Sequence, residues 1–232
     1  VRKYNGAPAH TAIVPAGTEL WRVHRTDSRY PANSFNSTGI APLTDAVAFD
    51  IRKHRGLPRQ GRFDPVHDNT VCPGGSGLGG YLYVGLSVGA VVAEGILRGT
   101  DIPKSKLLSY AAVADFSLTK LTLGENISVI TLDTQVGLAA INQDGSLVGC
   151  TWRDYRDSRV TCTDILVGTP GALGVRYPCR HGKDERAVML VDRRNSLPVD
   201  ITDTSDLSVP GWGLDLVRRT LRLGFDLDID LP

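Results

Sequence analysis

The sequence predicts an α+β (mixed α/β) protein, a compact mixed β-sheet core with few helices. Three observations predict it. Short apolar runs with strand spacing outnumber helical stripes and occur in both halves of the chain. The 25 Gly and 13 Pro fall between those runs, as in a loop-rich protein built on a sheet. Hydrophobic residues make up 41% of the 232 positions with no break in composition, which predicts a single domain over 1–232 with a sizeable core.

Each element follows from its pattern. Pro15-Ala16-Gly17 is a turn into a strand over Glu19–Arg25, with Leu20, Arg22 and His24 on one face and Trp21 and Val23 on the other. The stretch from Tyr30 to Thr70 is rich in Pro, Asn, Asp and Gly and reads as irregular, with one short helix near Thr44–Lys53. Tyr81–Val84 is a short strand, and Ser87 caps the helix after it. That helix is apolar on nearly every side, with Glu94 as its one acid. Strands are expected over Leu107–Leu123 and Ile127–Leu132, followed by a short helix through Ile141 capped by Asp133. A helix over Tyr155–Val167 and strands at Gly174–Tyr177 and Ala187–Val191 come next. From Leu221 to Leu231 apolar residues alternate strictly, which predicts a half-exposed terminal strand.

Several function classes are excluded or disfavoured. A formal charge of +1, without a basic arm, argues against direct nucleic-acid binding. The most apolar stretch, Tyr81–Leu97, carries Glu94 and falls short of the ~20 residues that span a bilayer, so no membrane role and a cytoplasmic location are expected. Cys72, Cys150, Cys162 and Cys179 lack zinc-ligand spacing and read as reduced thiols, with a Cys150–Cys162 disulfide as the minor reading; no metal site is expected. Gly75-Ser-Gly77-Leu-Gly-Gly80 fits a dinucleotide fingerprint, but the glycines precede a strand instead of following one, so a Rossmann site is rejected.

Some residues carry chemistry. An acid in an apolar helix either takes a raised pKa or pairs with a buried arginine, and Arg22 and Arg62 are the candidate partners for Glu94. Tyr83 ends the preceding strand and can line the same cleft. Cys179-Arg-His181 places a thiol near an imidazole, although such closeness in sequence says little about a catalytic pair. Ser158 is, by default, a polar position near a helix N-terminus.

Taken in order, these pieces resemble the RES-domain family. They are Gly17-Thr-Glu-Leu-Trp-Arg22-Val-His, Gly61-Arg62-Phe-Asp-Pro, Tyr81-Leu-Tyr83 through Ala93-Glu94, the Tyr155–Thr161 helix start, Gly174-Val-Arg-Tyr-Pro-Cys-Arg180 and Val188–Arg193. The resemblance runs over about 15–193 and leaves a C-terminal extension at 194–232. It implies a fold similar to ADP-ribosyltransferase toxins and a toxin of a bacterial toxin–antitoxin pair. Such a toxin acts as an NAD+ phosphorylase or glycohydrolase that cleaves the nicotinamide–ribose bond and depletes cellular NAD+. NAD is then the substrate, inorganic phosphate a co-substrate if the reaction is phosphorolysis, and a helix-turn-helix (Xre-type) antitoxin the cognate partner; a homo-oligomer is left open. Two alternatives are a protein ADP-ribosyltransferase using the same site and a non-catalytic module that binds NAD or a partner.

The resemblance also implies roles. Glu94 stabilises the oxocarbenium-like ribosyl cation or holds a ribose hydroxyl, Arg22 and Arg62 clamp the pyrophosphate or an attacking phosphate, and Tyr83 packs on the nicotinamide or its ribose. The family serine is where this chain departs. Cys179 stands at the late-strand position, while Ser158 matches a serine supplied from the preceding helix, and Ser158 is the preferred candidate.

Overall fold

The structure, a computed structural model, describes residues 1–36, 61–98, 100–182, 184–193 and 197–231. The expected helix near Thr44–Lys53 lies outside the described residues. The fold is α+β, built on an eight-stranded mixed sheet. Its strands are β1 (Thr11–Val14), β2 (Glu19–Arg25), β3 (Gly80–Gly85), β5 (Phe116–Leu123), β6 (Ile127–Thr131), β7 (Gly174–Pro178), β8 (Arg186–Asp192) and β9 (Val199–Asp206). They run in the order β1-β6-β7-β8-β3-β2-β5-β9, with β6 and β7 parallel and the other neighbours antiparallel. A separate parallel pair joins β4 (Leu107–Ser109) to β10 (Asp228–Asp230).

Side-chain alternation sorts the sheet into two apolar faces. Leu20, Leu82, Val84, Leu121, Val188 and Leu190 pack together on one. On the other, Tyr81, Tyr177 and Met189 meet Phe63 and the buried side of helix α4 (Tyr155–Val167). Val91, Val92 and Ile96 meet Leu118 and helix α5 (Trp212–Phe225) in a further cluster. Short helices α2 (Gln135–Ala140) and α3 (Gly145–Gly149) complete the set.

β3 lies near the middle of the sheet, and the chain leaves it into α1 (Val88–Val91), where the Ser87 hydroxyl accepts a hydrogen bond from the Ala90 amide (3.0 Å). The helix then widens into a π turn over Val92–Ile96 that carries Glu94. π turns insert an extra residue per turn and recur at functional sites.

Three expectations are corrected. Leu221–Leu231 is not one strand. Leu214, Val217 and Leu221 form an earlier 3.6-residue stripe that buries against Leu118 and Leu207, so the helix runs on to Phe225 and leaves Leu223 exposed. Asp226, at φ 54°, ends it, and only Asp228–Asp230 is strand. The Leu107–Leu123 run is broken by a 3-10 turn at Tyr110–Ala112. The cap of α2 is Thr134, whose hydroxyl accepts from the Gly137 amide (3.0 Å), and Asp133 is instead used by two arginines.

The residues after Val199 add edge strand β9 to the sheet. The glycines of the Gly75–Gly80 loop serve a close approach. Gly79 has φ 71°, and a β-carbon there would collide with the Asp192 carbonyl oxygen. Among the described residues no helix is long and apolar enough to cross a membrane.

Candidate functional site

The site gathers around the π turn. Glu94 Oε1 accepts a hydrogen bond from the Arg180 amide (2.9 Å) and lies 3.5 Å from Arg62 Nη2. Its other oxygen lies 4.0 Å from Nη1 of Arg98, four residues on and just past the π turn. The Glu94 side chain is 14% exposed, so it is reachable yet largely removed from water.

The two arginines differ in access. Arg62 is only 3% exposed in its side chain, and it lies over the rings of Phe63 (5.4 Å) and Tyr177 (5.5 Å) while donating to the Val148 carbonyl. Burial opposes its charge, but Glu94 and Tyr177 outweigh that and raise its pKa. Its Nε is buried and has no hydrogen-bond partner among the described residues. Arg98 is 30% exposed, rests on the Tyr155 ring (5.5 Å) and donates to the Tyr155 hydroxyl.

Asp64 organises the loop that delivers Arg62. Its buried carboxylate accepts from the Gly61 amide (2.6 Å), the Tyr83 hydroxyl (2.8 Å) and the Tyr81 hydroxyl (3.3 Å). Burial raises its pKa, and these donors oppose the shift. The Tyr83 hydroxyl in turn accepts from the Phe63 amide (3.0 Å). Tyr83 therefore fixes the Arg62 loop, and its ring sits edge-on to Tyr177 with centroids 6.5 Å apart.

Ser158 is fully buried and donates to the Arg62 carbonyl (2.8 Å) and the Tyr155 carbonyl (3.3 Å). Its hydroxyl is spent on holding the Arg62 backbone. Cys179 is buried, and its thiol donates to the Ala90 carbonyl (3.8 Å). Burial, then the charges of Glu94 and Glu185, push that thiol up to about 12, so it stays protonated and a poor nucleophile near neutral pH. His181 is exposed and lines a cavity of about 470 Å³ with Leu97 and Phe225. The four cysteines are free thiols, so the Cys150–Cys162 bridge is not formed.

Arg22 stands apart from this cluster. It shares a sheet face with Leu20, whereas Val23, on the opposite face, packs against Gly95 beside Glu94. Its guanidinium donates to the Ala32 carbonyl and is pushed down to about 10 by burial. The structure thus brings Arg62, Tyr83, Glu94, Ser158 and Cys179 to one side of the sheet and places Arg22 on the other.

Three contributors were not singled out from sequence. Arg98 had a signal, since it lies four residues after Glu94, where helical side chains meet. Asp64 and Tyr177 lie inside the quoted motifs, but nothing local marks them as loop anchor and ring platform. Among the described residues no group of three or more His, Cys, Asp or Glu could hold a metal ion.

No family model matches the sequence, and no curated protein does. The fold is similar to that of a chain in the crystal structure of the M. tuberculosis MbcT–MbcA toxin–antitoxin complex. The match has a TM-score of 0.52 and covers 88% of this chain and 91% of that chain, at 13% identity. At that identity the likeness is one of fold.

Proposed function

We propose that this chain is a toxin-like enzyme that cleaves the nicotinamide–ribose bond of NAD+, by phosphorolysis or hydrolysis. The observation that carries the reading is Glu94: a single, partly reachable carboxylate in a π turn, held by the Arg180 amide and flanked by two arginines. Bond breaking leaves positive charge on the ribosyl carbon, and a preorganised carboxylate lowers that barrier without needing a general acid, because nicotinamide departs neutral. The excess positive charge of the cluster suits the phosphates of a dinucleotide. The overall likeness to a chain of a toxin–antitoxin complex supports a toxin role and a cognate antitoxin as partner. A helix-turn-helix antitoxin is the form proposed.

Arg62 positions Glu94, and Ser158 and Tyr83 hold Arg62 in place. Arg22, on the other face and donating to the Ala32 carbonyl, has no part in this proposal.

Incubation of the purified, antitoxin-free chain with NAD+, with and without inorganic phosphate, tests the reading. Nicotinamide with ADP-ribose-1″-phosphate reports phosphorolysis, and nicotinamide with ADP-ribose in both buffers reports hydrolysis. Label transferred from NAD+ to a protein reports a transferase using the same site. Absence of nicotinamide from a folded sample sinks cleavage. A second reading, a non-catalytic module that binds NAD+ or a partner, is favoured by one observation: neither Ser158 nor Cys179 offers a hydroxyl or thiolate free to act.

A further inference from the structure

Resting on Glu94 as the reacting carboxylate, we propose that Arg98 is the ligand-contacting cation of the site, and that it binds a diphosphate group. The assignment follows from how the three charged side chains are used. Arg62 is sealed between Phe63 and Tyr177 and committed to the Val148 carbonyl and Glu94. With 3% of that side chain exposed, its fork offers a ligand little surface. Arg98 is the opposite case. Among the described residues its one hydrogen bond is from Nη2 to the Tyr155 hydroxyl, and its Nη1 lies 4.0 Å from Glu94, too far for a hydrogen bond. The remaining N–H donors of a planar fork are therefore uncommitted, and the side chain is 30% exposed.

The fork is also preorganised. Tyr155 is buried at the first turn of α4, and its ring and hydroxyl together set the guanidinium plane. A guanidinium stacked on a fixed ring loses little freedom on binding and presents paired donors to phosphate oxygens. Charge agrees, because Glu94, Arg62 and Arg98 together carry one excess positive charge. Arg98 also lies four residues after Glu94, just past the end of the π turn, with its Nη1 4.0 Å from the carboxylate, so an anion bound there brings its ribose-bearing end towards Glu94.

The test uses the full chain with Arg98→Met and Arg98→Lys. Calorimetric titration with inorganic pyrophosphate reads binding directly. Turnover of NAD+ is compared with that of nicotinamide riboside, which has the same scissile bond and no phosphate. Arg98→Met is expected to weaken pyrophosphate binding about tenfold. It should lower kcat/KM for NAD+ by a similar factor through KM, and lower that for the riboside by clearly less. Arg98→Lys keeps the charge without the stacked fork and is expected to fall between, which also covers the case of a poorly folded Met variant. Pyrophosphate binding equal in parent and variants, or absent from the parent, overturns the assignment. Equal losses on NAD+ and the riboside also overturn it, since Arg98 would then act through Glu94. If the parent turns over neither substrate yet loses pyrophosphate binding with Arg98, the assignment stands and the NAD+ reading fails.

Discussion

Glu94 shows how one residue carries both a structural and a chemical burden. It is the counter-charge of a buried arginine, and it is the group on which the proposed chemistry depends. Replacing it with Gln keeps an acceptor for the Arg180 amide but strips Arg62 of its anion. The expected result is a folded protein of lower melting temperature whose release of nicotinamide from NAD+ falls at least about 100-fold. Circular dichroism melts and product chromatography check the two halves, and retained turnover would refute Glu94 as the reacting carboxylate. Ser158 teaches the complementary lesson. Its spacing made it the preferred serine, yet a fully buried hydroxyl donating to a backbone carbonyl is already spent.

At the scale of elements, helix ends decide where the site residues stand. The start of α4 carries Tyr155 and Ser158, which touch Arg98 and Arg62, so any drift of α4 is transmitted to both arginines. The far end of that helix is held by Arg193, which donates to the carbonyls of Leu166 and Ala172 (2.9 Å to the latter). A cation at a helix C-terminus is favoured by the negative end of the dipole. Arg193→Ala is expected to cost about 1–2 kcal/mol, since hydrogen bonds from a charged donor are lost at a half-buried site. A urea unfolding curve measures it, and an unchanged midpoint would remove Arg193 from this role.

The whole molecule closes on itself through its C-terminus. Asp228 of β10 is gripped by Arg218 (3.3 Å) and Arg222 of α5, which ties the small parallel pair to the helix. The Arg222 hydrogen bond holds the Asp228 carboxyl down to about 2. A folded-state pKa below the unfolded one means stability that is present above the ordinary Asp value of roughly 4 and lost as pH falls towards about 2. Hydrogen exchange of the Ile229 and Leu108 amides, taken relative to its intrinsic rate at each pH, should therefore accelerate through that window in the parent. In an Arg218→Gln, Arg222→Gln double variant the acceleration should be absent, and its persistence would assign the acid sensitivity elsewhere.

Some of this was legible in the sequence and some was not. Period-2 and period-3.6 patterns, with Gly and Pro between them, determine the mixed sheet, the Ser87-capped helix and α4, because those elements arise from local burial of one face. The order Arg62, Tyr83, Glu94 was likewise visible. Two things only the tertiary structure decided. The Leu221–Leu231 alternation satisfies a strand locally, and contact with Leu118 and Leu207 selects the helix instead. Which arginine meets Glu94 was equally undetermined, since residues on one strand alternate between faces and loops can approach from either. Packing put Arg62 against Glu94, left Arg98 reachable and turned Arg22 to the far face, and no spacing along the chain encodes that choice.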